Sequence, residues 1–204
     1  MSWAGLFEHV PEDVTVAAIQ TALADRRAEQ RGDNERSDET DDNSSVSDPP
    51  EPTPTRIVAD ADVLAADCCV GGPSRTVLSE LYRHSWMTLI ASDQLLDDAE
   101  SVIETVASPS LAEEWRELIE AWREPAEHPA DDHPAVGSAY RGGAMHVLSF
   151  DDELTSSAAG ARLNNYVPIS VRQPDAFRLL FDAERLYESE HATAYPGADR
   201  EPRN

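Results

Sequence analysis

The sequence contains no lysine: all 16 of its basic residues are arginine, set against 40 aspartates and glutamates, for a formal net charge of -24 over 204 residues. A surface so acidic and so poor in lysine resembles that of proteins from salt-loving cells, where salt screens the self-repulsion. The acidity excludes little about partners, because at molar salt the Debye length is about 3 Å and net charge barely opposes a polyanion. Cysteine is scarce as well. The two that occur, Cys68 and Cys69, are adjacent. They suggest no disulfide framework, which fits a reducing cytoplasm, and they lack the two-residue gap of a zinc site. Both are expected to be small, buried and reduced. No apolar run reaches the length of about 18 residues that a membrane span needs. No basic stretch followed by an apolar one opens the chain, so no signal peptide is expected. The expectation is a cytoplasmic protein with no membrane segment.

What is present falls into zones. A hydrophobic fraction of 40% can supply the core of one domain with appendages. In residues 1–31, Trp3, Leu6, Phe7 and Val10 recur at helical spacing, and Val16, Ile19 and Leu23 continue the pattern beyond Pro11. This reads as an N-terminal helical arm that either rests on the domain or docks a partner. Residues 32–55 hold acids, serines, threonines and four prolines around a single aliphatic residue, Val46. Such a stretch cannot bury enough surface to offset its chain entropy and is expected to be a disordered acidic linker. Residues 56–188 form the domain proper, and 189–204 are expected to be a flexible tail.

Within the domain, short apolar runs alternate with helical patterns. Strands are expected over 57–64, 87–91, 145–149 and 167–171. Helices are expected over 74–84, from the cap Ser92 through Val106, and over 110–122, 134–141, 152–161 and 174–187. The clearest stripe is Leu95, Leu96, Ala99, Val102, Ile103 and Val106. Strands alternating with helices predict an α/β fold of three layers, with a central, mainly parallel sheet between helices. In such sheets ligands bind at the carboxyl ends of the strands.

Carboxylates gather at those ends. Asp60 and Asp62 lie in or after the first strand, and Asp97, Asp98 and Glu100 lie on the helix after the second. Asp131 and Asp132 precede the helix that leads into the third strand, and Asp151 and Asp152 follow it. Each has an ordinary reading alone: Asp60 as a turn residue, Asp98 as a solvated helix residue, Asp131, Asp132 and Asp151 as helix-terminal caps. Among 40 acids such coincidences are common.

Four segments in order carry a resemblance: "IVADADVL" (57–64), "SDQLLDDAESVI" (92–103), "DDHPAVGSAYRGGAMHVLSFDDEL" (131–154) and "VPISVRQPDAF" (167–177). The chain from about Arg56 to Tyr187 resembles PIN domains, in particular the stand-alone and toxin-type nuclease branch. In that family the first strand ends hydrophobic-Asp-small-Asn-Val-Leu and a later helix begins Ser-x-x-Leu-Leu-x-Glu. An Asp-Asp-x-Pro entry then precedes a helix, and a strand ends in Thr/Ser-x-Asp before a leucine. Carried over position by position, the resemblance implies an acidic quartet of Asp60, Asp98, Asp132 and Asp151. Asp98 stands where the family usually has glutamate, and Asp62 where it often has asparagine. Asp62 and Asp152 are candidates for a supporting role, and Glu80 is a fallback for the second acid.

The resemblance implies a ribonuclease that uses Mg2+ or Mn2+ to hydrolyse single-stranded or structured RNA. It leaves room for an antitoxin-like protein partner and for a homodimer. A catalytically inactive PIN-like module that binds nucleic acid or protein is the alternative. The chemistry is consistent with an all-carboxylate set. Crowded carboxylates repel unless a cation neutralises them, and hard divalent ions prefer oxygen ligands. Outside the quartet, His133 either approaches the site or merely precedes Pro134. Arg75, Arg83, Arg141, Arg162 and Arg172 are candidate phosphate grips, although arginines on an acidic surface more often form ion pairs. The turns "VGGPSR" and "RGGA" contain no phosphate-cradling loop.

Overall fold

A computed structural model describes residues 2–34, 48–127, 133–158, 160 and 168–203. In chain order the elements are α1 (Trp3–Phe7), α2 (Val16–Asn34), β1 (Thr53–Ala59), α3 (Ala61–Cys69), α4 (Gly72–Tyr82), β2 (Thr88–Ala91) and α5 (Asp93–Val106). There follow α6 (Pro109–Glu120), β3 (Glu124–Pro125), α7 (Pro134–Gly142), β4 (Ala144–Leu148), α8 (Asp152–Thr155), β5 (Ser170–Arg172), α9 (Pro174–Leu180) and α10 (Ala183–His191).

Every strand pairing is parallel, and the sheet order is β3-β2-β1-β4-β5. Ile57 of β1 sits between Leu89 of β2 and His146 of β4, which fixes the register at the centre. Helices flank this sheet in the expected three-layer α/β/α arrangement. Its central residues Ile57, Val58, Leu89, Ile90, Val147 and Leu148 are buried, as a parallel sheet covered by helices requires. The stripe of α5 behaves as its spacing predicts: Leu95, Leu96, Ala99, Val102 and Ile103 are buried. Ser92 caps that helix by accepting from the Leu95 N–H (3.2 Å). Trp115, at the centre of the apolar side of α6, has no exposed surface.

Several expected boundaries change. The first strand does not run over 57–64 but stops at Ala59, and the rest of that apolar run is α3, all nine of whose residues are buried. A short apolar run in isolation fits a strand or a buried helix equally well, and here Asp60 decides by capping α3. Of the span expected as linker, 32–34 belong to α2 and 53–55 to β1, while 35–47 lie outside the described residues. The expected strand 167–171 is observed as Ser170–Arg172. The helix expected over 152–161 is observed as the turn α8, a break at Ser156 and further helical residues at 157, 158 and 160, with 159 and 161–167 outside the described residues. The helix expected over 174–187 is two, because the chain extends at Phe181 and Asp182 caps α10.

The expected flexible tail is instead tied down at several points. Asp199 accepts from the Ser85 N–H (2.7 Å), and Tyr195 meets His84 Nε2 (2.5 Å). Arg203 is buried, bound through both terminal nitrogens to Asp67. No helix among the described residues is long and apolar enough to cross a membrane.

One glycine sets how closely α7 approaches the sheet. A Cβ on Gly142 would lie 2.2 Å from Cγ2 of Ile90 on β2. Gly142→Ala is therefore expected to lose about 1–3 kcal/mol by overpacking. Combined with Ile90→Ala it should cost less than the sum of the two single changes by about 1 kcal/mol or more, measured by urea denaturation.

Candidate functional site

β1 is central, with β2 then β3 laid outward on one side and β4 then β5 on the other. The crevice beyond the carboxyl ends of β1 and β4 is thus a topological switch point, where open α/β sheets bind ligands. Three connections meet there. Asp60 ends β1, Ser149–Asp151 end β4, and α5, which carries Asp98, follows β2.

Asp60 has no exposed surface. Its Oδ1 accepts from the Ala61 N–H (2.8 Å) at the start of α3, and its Oδ2 accepts from Ser149 Oγ (3.0 Å) at the end of β4. Asp98 is equally buried and projects from α5 toward the same place. Its Oδ1 accepts from Gln30 Nε2 (2.8 Å) and Gln94 Nε2 (3.3 Å).

Between these carboxylates sits the guanidinium of Arg27. Its Nη2 donates to Asp60 Oδ1 (2.9 Å), its Nε lies 3.5 Å from Asp98 Oδ2, and its Nη1 donates to His133 Nε2 (3.0 Å). Burial works against the charged form of Arg27, but Asp60, Asp98 and Asp62 outweigh it and hold the group more firmly protonated than usual. Burial also pushes the pKa of His133 below that of a free histidine, with Arg27 adding to the effect and Asp60 opposing it.

The helix that brings Arg27 here is α2. Ile19, Leu23, Arg27 and Gln30 recur at i, i+4, i+8 and i+11, so one face runs from the apolar core to the acidic crevice. Gln20 adds a bond from Nε2 to the Phe150 carbonyl (3.0 Å) at the end of β4. Thr15 starts the helix by accepting from the Ala18 N–H (3.2 Å). The arm therefore rests on the domain, and it does so across the carboxyl edge of the sheet.

Asp62 is buried beside Asp60. Its Oδ2 accepts from the Phe150 N–H (3.0 Å), whereas Oδ1 has no hydrogen-bond partner among the described residues. Burial first, and the Asp60 charge second, push its carboxyl well above the ordinary range. A raised acid holds more protons folded than unfolded, so stability falls as pH climbs from the ordinary carboxylate pKa of about 4 toward the raised value. Asp62→Asn is expected to remove that slope. It should melt higher than the wild type at about pH 7, by about 1–3 kcal/mol for a relieved buried group, and lose the advantage near pH 4. Thermal melts across that range check it; parallel pH profiles would contradict it.

The other expected site residues divide. Asp151 lies at the same edge, but its Oδ1 caps α8 by accepting from the Glu153 (2.7 Å) and Leu154 (3.4 Å) N–H groups. Its own N–H donates to Ser149 Oγ (3.0 Å), so a two-bond relay links Asp151 to Asp60. Asp152 is exposed in the first turn of α8. Asp132 and Asp131 lie outside the described residues. Glu80 pairs with Arg83 (3.3 Å) on α4.

Among the candidate phosphate grips, Arg75 donates to the Asp67 and Cys68 carbonyls (3.0 and 2.7 Å). Arg162 lies outside the described residues. Asp67 is buried against Arg203. Cys68 and Cys69 are buried and free.

The site residues that the sequence did not disclose are Arg27, Gln30, Gln20 and Ser149. The available signal was the α2 stripe, which continues from Ile19 and Leu23 into Arg27 and Gln30 on the same face.

A family of unknown function, DUF7384, matches residues 51–203. The chain belongs to DUF7384. Comparison with curated proteins and with solved structures finds no match. The DUF7384 span contains Asp60, Asp62, Asp98, Asp151 and Arg203, and leaves α1 and α2, with Arg27, outside it.

Among the described residues no group of three or more His, Cys, Asp or Glu side chains is arranged to hold a metal ion. The donor set nevertheless fits a hard divalent cation in a narrower sense. Two carboxylates already lie against the Arg27 guanidinium, Arg26 Nε stands 4.0 Å from Asp98 Oδ1, and Asp62 Oδ1 beside them is buried without a hydrogen-bond partner among the described residues. Mg2+ commonly binds through one or two carboxylates and completes its shell with waters and substrate phosphate.

Proposed function

We propose that this DUF7384 chain is a PIN-like, metal-dependent ribonuclease that hydrolyses phosphodiester bonds in single-stranded or structured RNA at the carboxyl edge of its sheet. One observation carries the reading: Asp60 and Asp98, from separate strand–helix units, are fully buried and flank one guanidinium, that of Arg27, at the switch point, with Arg26 a further 4.0 Å ion-pair neighbour of Asp98. Burying two like charges together is costly, and a fold that does so is built around a positive partner. Asp60 and Asp98 hold the ion, and Ser149 orients Asp60 through its Oδ2. His133, its Nε2 3.9 Å from Asp60 Oδ2, borders the position that a phosphate would take. Asp132 and Asp151 complete the quartet, with Asp62 and Asp152 supporting it. Mg2+ or Mn2+ bound there would supply a Lewis acid for the phosphate and lower the pKa of a bound water.

The test is cleavage of single-stranded RNA with Mn2+ at high salt, run on the wild type and on Arg27→Ala, each with and without Asp60→Asn. Mn2+-dependent cleavage that disappears with Asp60→Asn is expected. Cleavage absent from both the wild type and Arg27→Ala, or unchanged by Asp60→Asn, rules the reading out.

A second reading rests on a different observation, that Arg27 already neutralises both carboxylates. On it the chain is a non-catalytic PIN-like module that binds nucleic acid or a protein partner, and the acidic crevice is a permanent internal ion pair. Thermal melts separate the two: stabilisation by Mn2+ that depends on Asp60 favours the enzyme, and its absence favours the module.

A further inference from the structure

The geometry points to α2 as an autoinhibitory plug: we propose that Arg27 holds the cation position between Asp60 and Asp98, and that a divalent cation and the arm compete for it. This rests on the reading of Asp60 and Asp98 as a cation site. A guanidinium presents fixed planar donors, and Arg27 uses two of its nitrogens in hydrogen bonds, Nη2 to Asp60 and Nη1 to His133. Its Nε stands 3.5 Å from Asp98 Oδ2 as an ion pair without a hydrogen bond. While Arg27 stays, a positive group already lies against both carboxylates that would hold a metal ion.

The plug is held by more than charge. Ile19 and Leu23 are buried in the core, Gln20 bonds the Phe150 carbonyl, and Gln30 bonds Asp98 itself. Gln30 thus bonds one oxygen of the Asp98 carboxylate while Arg27 stands 3.5 Å from the other. The seat is polar at the site and apolar one turn away. Entry of a cation therefore requires only the C-terminal half of α2 to lift, while Ile19 and Leu23 keep their burial. The arm also lies outside the DUF7384 span, whereas both carboxylates lie inside it. The plug and the site it covers thus lie on opposite sides of the DUF7384 boundary.

A plugged site binds its ligand with an apparent dissociation constant raised by the inverse of the open fraction. Mn2+ binding to the full chain, read by isothermal titration calorimetry, should tighten about tenfold or more in Arg27→Ala relative to the wild type, and vanish when Asp60→Asn is added. In the wild type, saturating Mn2+ should raise amide hydrogen exchange over 26–33 while exchange in β1 and β4 stays low. Gln20→Ala/Gln30→Ala, which loosens the arm without stranding the carboxylates, should shift Mn2+ affinity in the same direction if Arg27→Ala does not fold.

Equal Mn2+ affinity in the wild type and the loosened variants, lost in Asp60→Asn, would overturn the plug and leave the cation site standing. No Mn2+ binding in any variant would overturn both. Tighter binding without increased exchange over 26–33 in the wild type would also overturn it, because the arm would not be what moves.

Discussion

Arg203→Ala is expected to destabilise the fold by about 3–5 kcal/mol, the cost of removing one partner from a buried ion pair. Both side chains of the Arg203–Asp67 pair are fully buried, and the guanidinium meets the two carboxylate oxygens at 2.8 and 2.6 Å. A third bond reaches Ser79 Oγ (3.2 Å). The same guanidinium lies over Trp3 (4.8 Å), Trp122 (5.2 Å) and Phe7 (5.7 Å), so its charge is shared with aromatic faces after water is removed. Alanine removes all of these contacts and leaves the buried Asp67 carboxylate without its ion-pair partner. Most of the loss comes from that stranded carboxylate. Arg203→Ala/Asp67→Ala should therefore be closer to the wild type than Arg203→Ala alone, as measured by urea denaturation. A double variant as unstable as the single one would place the loss in the aromatic contacts instead.

Asp60→Asn is expected to reduce Mn2+-dependent RNA cleavage by about 100-fold or more, in the range of losing a preorganised electrostatic contact to the reacting centre. The change is chosen because it separates chemistry from folding. Asparagine is as good an N-cap as aspartate, so the start of α3 survives. With its amide oxygen kept on the cap, its amide nitrogen takes the place of Oδ2 and donates to Ser149 Oγ, which keeps β4 tied to β1. What disappears is the negative charge facing Arg27 and any cation that replaces it. The folded variant should therefore melt as a cooperative unit yet bind no Mn2+. Asp60→Ala, by contrast, should lose about 1 kcal/mol of cap as well, which makes it the less informative substitution.

The architecture was legible because its signals are local. Alternating strand and helix patterns gave the parallel sheet, and the α5 stripe and its Ser92 cap agree with the structure. The "RIVADADVLAAD" run misled at its second half, since Ala61–Cys69 has no polar face to show a helical period: every residue of α3 is buried. Asp67 gave no sign of its burial, because its partner is 136 residues away in the sequence. At the site, the strand-end rule pointed to Asp60, and the PIN resemblance added Asp98. Arg27 was hidden for a different reason. An arginine on a helix of an acidic protein reads as a solvated residue, and only the coincidence of its face with Ile19 and Leu23 distinguishes it.

Trp3 and Leu6 of α1 are buried, and Phe7 stacks beneath Arg75 at 3.8 Å. The N-terminal side of α2 is thereby pinned to the domain through α1, and its C-terminal side continues by the chain into β1. A helix fastened at both ends returns to its seat as a unimolecular event. Its effective concentration at the crevice is set by its covalent attachment to the domain, and dilution of the protein leaves it unchanged. Arg27 and a soluble ion thus meet on unequal terms: the ion's occupancy scales with its concentration, whereas that of the guanidinium is fixed by the length of the chain.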